Sequence, residues 1–327
     1  MLRENYIDTV KGICILCIAM LHYVIGVIPS QLEVFIGSFM ITSFYVVAGW
    51  LSAMKPSQLS GKQFVRKRFH QLGIPYIYWT IIILLFDVVL WIAGYYDSYY
   101  ISKEIYKSIV LRGIGTLWFL PALFAGGVLW YYLQEKSARM KIITLIVVVV
   151  LQSLYFQYFN GEASMKMKII NAPIKAIYSM TQAFVGIMFG YYAYKMSANI
   201  LKKRNTICCA GIVLFSLGYI SANHYPFSWG AGWQFFAPLL GPIGLIYLSK
   251  SYLQRVKYFN YWGRNSLNLM VTHYSIILVL FKLLVENGLE RPFNGWITLV
   301  AFLLSIPIQH ILVFVVDKYA KFTLGKK

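Results

Sequence analysis

Charge is scarce in this sequence, and acid is scarcest. Only 11 of the 327 residues are Asp or Glu, and charged residues make up 13%, well below the quarter usual in soluble proteins. A chain of ordinary soluble domains is therefore excluded, although the length would allow two. Cysteine is also sparse: Cys14, Cys17, Cys208 and Cys209 all lie in apolar runs. Cys14 and Cys17 have the spacing of a metal or redox motif. Only Ile15 and Leu16 fill the gap, however, and no second pair repeats that spacing, so small apolar packing is the expected role. No Gly-x-Ser-x-Gly elbow, phosphate-binding Gly-x-x-x-x-Gly-Lys-[Ser/Thr] loop or His-Glu-x-x-His helix occurs. No metal-ligand set, low-complexity tract or internal repeat is evident, and no loop is long enough for a separate soluble domain.

What is abundant is apolar and aromatic. Hydrophobic residues reach 59% and aromatics 17%, with 26 Tyr and 9 Trp, as suits a chain with two membrane–water interfaces. A spanning helix needs about 20 mostly apolar residues. About ten stretches qualify: 7–28, 34–54, 75–95, 116–134, 142–159, 174–194, 206–222, 233–249, 266–284 and 295–316. The first lacks a small-residue cleavage site and is led by Asp8 and Lys11, so it is expected to be a retained helix. The Pro-containing stretch His224–Gly230 is expected to turn outside the membrane, with Trp229 and Trp233 at the interface.

A net charge of +19 is also found in nucleic-acid binders, but here the basic residues sit in short clusters between apolar runs. With the N-terminus inside, most fall on the cytosolic side. These include Lys55, Lys62, Arg66, Lys67 and Arg68, then Lys136, Arg139 and Lys141, and Lys202, Lys203 and Arg204. The opposite side receives Lys103, Lys107, Arg112, Lys166, Lys168, Lys175, Lys282 and Arg291. Every even-numbered span ends in a basic cluster, which predicts both termini in the cytosol and no nucleic-acid partner. The expected fold is an all-α polytopic transmembrane helix bundle, one domain over 1–327.

The first span carries Asp8, Lys11 and His22. Asp8 and Lys11, three apart, can pair. Lys11 and His22, eleven apart, lie nearly on one helix face about 16 Å apart along the axis. Ionisable groups in a spanning helix are costly and usually face the bundle interior or a wet cavity. Lys11 alone reads as a snorkelling boundary residue and His22 alone as a helix–helix contact. Their shared face shifts the balance towards function, because a neutral imidazole is a natural proton acceptor.

Several segments together resemble one family. Asp8-Thr-Val-Lys11-Gly12-Ile13 followed by His22 is similar to the first-helix pattern of the acyltransferase 3 family of membrane-bound acyltransferases, in the form where Lys replaces Arg. The fucose 4-O-acetylase-like branch is the nearest in pattern. Ser38-Phe39-Met40 through Ala48-Gly49-Trp50 resembles its second-helix pattern, departing at Met40, Thr42 and Ala48, where the branch often has His, Pro and Ser. Phe64–Tyr76 resembles its basic loop running into a Pro-Tyr helix start. Thr116-Leu-Trp118-Phe119-Leu120 resembles its Leu-Trp-Phe-Leu block. Gly263-Arg-Asn265-Ser266-Leu267 through His273 resembles its Gly-x-x-Ser-Leu…His pattern.

The resemblance implies an acyltransferase of the cell inner (plasma) membrane. It would transfer acetyl from acetyl-CoA, as a co-substrate, to a hydroxyl of a surface polysaccharide or its lipid-linked precursor. No permanently bound cofactor or metal is expected, and the partners would be that glycan acceptor and membrane lipids. It implies a catalytic pair of His22, the general base, and Lys11, which is too far along the axis to serve His22 directly and would hold the Asp8 region or the donor's phosphates at the cytosolic mouth. Arg66, Lys67 and Arg68 would bind the phosphates of coenzyme A, against a plain reading as topology determinants touching anionic lipid. Trp118 and Phe119 would contact substrate, against interfacial anchoring, as would Asn265 and His273, the latter against helix packing. His70 and His224 are expected in loops, and His310 in packing. A transporter or flippase of lipid-linked sugars would share the helix count and the intramembrane charges. Such proteins often show two related halves, which this sequence does not.

Overall fold

The structure, a computed structural model, describes residues 4–24, 27–159, 164–200, 203–224, 231–286 and 296–326, and among these there is no strand. The helices are α1 (Asn5–Val24), α2 (Ser30–Phe39), α3 (Thr42–Met54), α4 (Gly61–Arg68), α5 (Ile74–Ile92), α6 (Ser98–Ile109), α7 (Phe119–Leu133) and α8 (Ala138–Phe159). They continue with α9 (Met165–Ile170), α10 (Ala172–Ile200), α11 (Arg204–His224), α12 (Ala231–Ser251), α13 (Lys257–Arg264), α14 (Ser266–Thr272), α15 (Val279–Glu286) and α16 (Trp296–Tyr319). π-helical turns at Phe69–Gly73 and His273–Leu278 join α4 to α5 and α14 to α15.

Helix lies at each of the ten expected positions. Seven stretches are long and apolar enough to cross a membrane: Asn5–Tyr23, Ser30–Met54, Gly61–Ile92, Ala138–Phe159, Arg204–Asn223, Ser266–Leu283 and Ile297–Tyr319, with Phe119–Leu133 shorter but apolar. The chain is a multi-pass membrane protein. Of the expected turn over His224–Gly230, His224 instead ends the helix α11, while 225–230 with Trp229, the Trp233 side chain and Arg291 lie outside the described residues.

Three local features differ from expectation, each for a physical reason. The second span is interrupted between Phe39 and Thr42. The Thr42 hydroxyl lies within hydrogen-bond distance of the Ser38, Phe39 and Pro238 carbonyls, at 3.1, 3.1 and 3.2 Å. A side chain inserted into the backbone ladder breaks its regularity. The Pro238 carbonyl needs such a donor, because Pro242, four residues on, has no N–H to offer it.

Secondly, the basic stretch expected as a loop is helical. The Ser60 N–H donates to Gln63 Oε1 at 3.1 Å, half of a capping box that starts α4. Pro75 would normally end this helix. Instead the π-turn widens the ladder, with the Ile74 N–H reaching back to the Phe69 carbonyl. Arg66, Lys67, Arg68 and His70 are therefore all held on helix, His70 in the π-turn itself. Thirdly, α6 was not foreseen. Asp97 caps it, its carboxylate accepting from the Tyr100 N–H at 2.6 Å.

The chain forms two compact units. One runs to Gln58 and resumes over Ala183–Leu269; the other comprises Leu59–Gln182 and the chain from Met270 onward. In the first unit α1 packs along α13, α11 along α12, and α3 against α12. Its apolar centre includes Val10, Cys14, Val46, Trp50 and Ile246, all essentially inaccessible. Cys14 thus packs as a small apolar residue.

The α1–α13 crossing is set by backbone. A Cβ on Gly12 would strike the Phe259 carbonyl, and one on Gly263 the Asp8 carbonyl. Gly49 and Gly190 stand in the same reciprocal relation, against the Ile187 and Val46 carbonyls of α10 and α3. Small residues that let backbones approach are the usual means of joining helices in lipid. Gly263→Ala should therefore lower stability by about 1–3 kcal/mol, as overpacking does. Gly37→Ala, where nothing lies within 4 Å of the added methyl, should be neutral or stabilise by up to about 1 kcal/mol through helix propensity. Thermal unfolding in detergent compares them, and equal midpoints would contradict the crossing.

Candidate functional site

The sequence-predicted residues divide between the two units. Lys11, His22 and Asn265 belong to the first; Arg66, Lys67, Arg68, Trp118, Phe119 and His273 belong to the second.

In the first unit, α1 presents a polar cluster at its N-terminal end. Asp8 is 2% exposed and lies between two cations, Lys11 Nζ at 3.0 Å from one oxygen and Arg264 Nε at 3.6 Å from the other. Arg264 also donates to Asn5 Oδ1 at 3.3 Å. One turn away, the buried Thr9 hydroxyl donates to Asn260 Oδ1 at 2.8 Å, and Asn260 Nδ2 donates to the Gln254 carbonyl at 2.8 Å. Trp50 Nε1 donates to the Tyr6 hydroxyl at 3.1 Å, fixing α3 to the same end. The expected Asp8–Lys11 pair is present, and the approach allowed by Gly12 and Gly263 brings Arg264 to it. Asn265 donates to the Tyr261 carbonyl at 3.0 Å, an interaction that serves the end of α13.

His22 lies near the other end of α1, half-buried. Its Nδ1 is 2.7 Å from the Ile18 carbonyl. A carbonyl only accepts, so Nδ1 carries the hydrogen and a neutral ring holds its lone pair on Nε2. The bond fixes both the tautomer and the ring's orientation, which a proton acceptor requires.

In the second unit, Arg66 and Lys67 are exposed while Arg68 is half-buried. The Arg68 guanidinium lies 5.8 Å from the centre of the Phe64 ring and 3.5 Å from where a Cβ on Gly127 would stand. Phe64 is itself stacked on Tyr131 at 4.1 Å. Among the described residues no carboxylate pairs with Arg68. A guanidinium does not shed its proton, so this charge stands ready for an anion.

Trp118 and Phe119 follow a tight turn. Gly113 and Gly115 have φ of +67° and +53°, values that suit glycine. A side chain at Gly115 would meet Ser275 and the Tyr274 ring. The Thr116 hydroxyl donates to the Met270 carbonyl at 2.7 Å. The Leu-Trp-Phe-Leu block is thereby pinned to the helix that carries His273. His273, 1% exposed, is the first residue of the π-turn, a distortion frequent at functional sites. The preceding Thr272 hydroxyl donates to Gln309 Oε1 at 2.7 Å.

Sequence reasoning did not single out one further group in this unit. Asp87 and Glu104 are buried at 2% and 3% exposure. Glu104 holds Lys107 with both oxygens, at 2.9 and 2.8 Å, and Lys103 at 3.6 Å. Arg112 lies 5.4 Å from the centre of the Trp118 ring. The available signal was Asp87, an acid inside an apolar run.

The Asp8 cluster predicts a measurable coupling. Asp8→Asn should cost about 2–3 kcal/mol, because it leaves partly buried cations without their carboxylate. Lys11→Met made on top of Asp8→Asn should cost about 1 kcal/mol less than Lys11→Met alone. Half-exposed Arg264, changed to Gln, should matter less, about 0.5 kcal/mol. Unfolding midpoints of the single and double variants test this, and strict additivity would refute the pair.

The segments that carry chemistry thus lie on α1, on the α4–α5 helix, in the Trp118 turn and in the second π-turn, spread along most of the chain. A family model described as an acyltransferase domain matches residues 4–312. No curated protein and no solved structure matches the chain. The family match spans all of these segments, and the chain belongs to the acyltransferase 3 family.

Proposed function

We propose that this acyltransferase takes acetyl from acetyl-CoA and delivers it to a hydroxyl of a bacterial cell-surface polysaccharide or its lipid-linked precursor. Ten spans, with both termini in the cytosol of the inner (plasma) membrane, would carry the reaction. The observation that supports this most is the state of His22. With Nδ1 committed to the Ile18 carbonyl, Nε2 is the ring's basic nitrogen.

The chemistry follows from that nitrogen. Nε2 accepts the proton of the sugar hydroxyl as its oxygen attacks the thioester carbonyl. The C–O bond forms, the carbonyl electrons move to oxygen, and the tetrahedral oxyanion collapses with cleavage of the C–S bond. The imidazolium then returns its proton to the departing thiolate, so the ring finishes as it began. Lys11 is about 16 Å along the helix from His22 and engaged by Asp8. It acts as a positioning residue for that end of α1 rather than as a partner of the base.

Arg68, with Arg66 and Lys67 beside it, is assigned to the donor's phosphates, for which a planar guanidinium offers paired N–H donors. Trp118, Phe119, Asn265 and His273 are assigned to the acceptor. Of these, Trp118 has a cation beside it, Arg112 lying 5.4 Å from its ring centre.

Two measurements test the proposal. His22→Ala, shown to insert and fold, should lower the acetyl content of surface polysaccharide by at least about a hundredfold, the usual scale for a lost general base. Mass spectrometry showing undiminished acetylation would remove His22 from the mechanism. Arg68→Ala should raise the KM for acetyl-CoA about tenfold with little change in kcat, and Arg68→Lys should recover only part of it. A purified protein that binds no coenzyme A but moves lipid-linked sugar would instead favour a transporter.

A further inference from the structure

Pro75 leaves one backbone group to be accounted for. In the π-turn the Ile74 N–H reaches back to the Phe69 carbonyl. The next bond in that register would join the His70 carbonyl to the nitrogen of Pro75, which carries no hydrogen. A carbonyl freed in this way needs a neighbour from elsewhere in the chain. It is met by the segment beyond α16. A 3₁₀ turn, Lys321–Leu324, follows that helix, with Thr323 and Leu324 buried. Gly325 closes the turn in the left-handed region, at φ +64°, its N–H donating to the Phe322 carbonyl at 3.0 Å. A Cβ on Gly325 would strike the His70 carbonyl and stand 3.5 Å from Pro75 Cδ. The position therefore requires glycine twice, for its φ and for its contact. The Cα–H that stands in place of that Cβ points at the oxygen, a weak hydrogen bond to the carbonyl that Pro75 leaves over.

Two further contacts fix this segment. The Phe322 ring meets Tyr78 of α5 edge to face, 5.3 Å between centres at 79°. Lys326 Nζ pairs with Asp317 Oδ1 of α16 at 2.7 Å. On its other side the same stretch is held by α7. Phe69 sits edge-on to Phe124 at 6.3 Å, and Phe64 is stacked on Tyr131. Arg68 is the residue immediately before the π-turn, so it lies between the two supports. With the ladder incomplete at Pro75, the angle at which α4 leaves α5 depends on what packs against the turn. Burial of Leu324 alone would serve packing. It would not require a left-handed glycine set against the carbonyl that proline leaves over, two residues from Arg68.

We propose that the segment from Ala320 to Lys326 is a positioning element of the donor site. Gly325 holds the His70 carbonyl and so fixes the π-turn. The turn in turn sets the Arg68 guanidinium where it meets the donor's phosphates. Gly325 and Phe322 touch no reacting atom and act through Arg68. The inference rests on the assignment of Arg68 to coenzyme A, and the brace itself can be measured apart from it.

The test titrates coenzyme A into the full-length protein, in nanodiscs of uncharged phosphatidylcholine, by calorimetry. Arg68→Ala should raise the Kd about tenfold and Gly325→Ala about fivefold, and the double variant should be no weaker than Arg68→Ala alone, because residues that act through one contact are not additive. A loss at Gly325 that was merely structural would multiply with the loss at Arg68, and that result would overturn the proposal. If Gly325→Ala does not yield folded protein, Phe322→Leu removes the Tyr78 contact and should give the same non-additive loss. Phe322→Tyr, which keeps the ring, should retain more affinity than Phe322→Leu. An unchanged Kd in Gly325→Ala and Phe322→Leu would also overturn the proposal. If coenzyme A binding is indifferent to Arg68→Ala, the donor assignment falls. The brace is then decided by hydrogen exchange at the Ile74 amide, which Gly325→Ala should speed about tenfold if Gly325 holds the turn and leave unchanged if it does not.

Discussion

Lipid tails offer helices the same dispersion contacts that other helices do, so helices in a bilayer gain little by merely touching. What holds them is contact closer than lipid can make. In the first unit that contact is backbone against backbone: Gly12 with Phe259, Gly263 with Asp8, Gly49 with Ile187 and Gly190 with Val46. The α1–α13 crossing has a second consequence. Because Gly263 abuts the Asp8 carbonyl, the next residue, Arg264, comes within 3.6 Å of the Asp8 carboxylate. The crossing thus fixes the rotation of α1, and with it the face on which Lys11 and His22 stand.

A second constraint acts on the backbone itself. Without water, a carbonyl freed by proline must find a donor inside the protein. Thr42 meets that need for Pro238, and the hydroxyl that does so also interrupts the α2–α3 ladder. At Pro75 the solution is a π-turn, which keeps Arg66–Arg68 on a continuous helix with α5. The departure at Thr42 from the resembled pattern therefore has a local structural role, satisfying a carbonyl of α12.

Helix positions were legible from the sequence because hydrophobic run length dominates in this solvent. The Asp8–Lys11 pair was legible because a spacing of three on a helix leaves little choice. Other features were not, and for identifiable reasons. Arg264 reaches Asp8 from more than 250 residues away, across a crossing that only packing determines. The short helix α6 is too polar to register as a span and too short to stand on periodicity alone. The His22 tautomer depends on the Ile18 carbonyl, a backbone group that no side-chain pattern reports.

The charged groups of this protein therefore differ in how they are neutralised, and the difference carries information. Asp8 has two cations of its own chain within 3.6 Å, and Glu104 has Lys107 and Lys103. These charges are answered by the fold and can serve stability. Arg68 is set among Phe64 and Gly127, and no carboxylate among the described residues pairs with it. A fold gains nothing by holding an unanswered charge in a place of low dielectric, since desolvation opposes it. Such an arrangement is sustained when something outside the chain completes it. The proposed acyl donor, rich in phosphate, would complete this one.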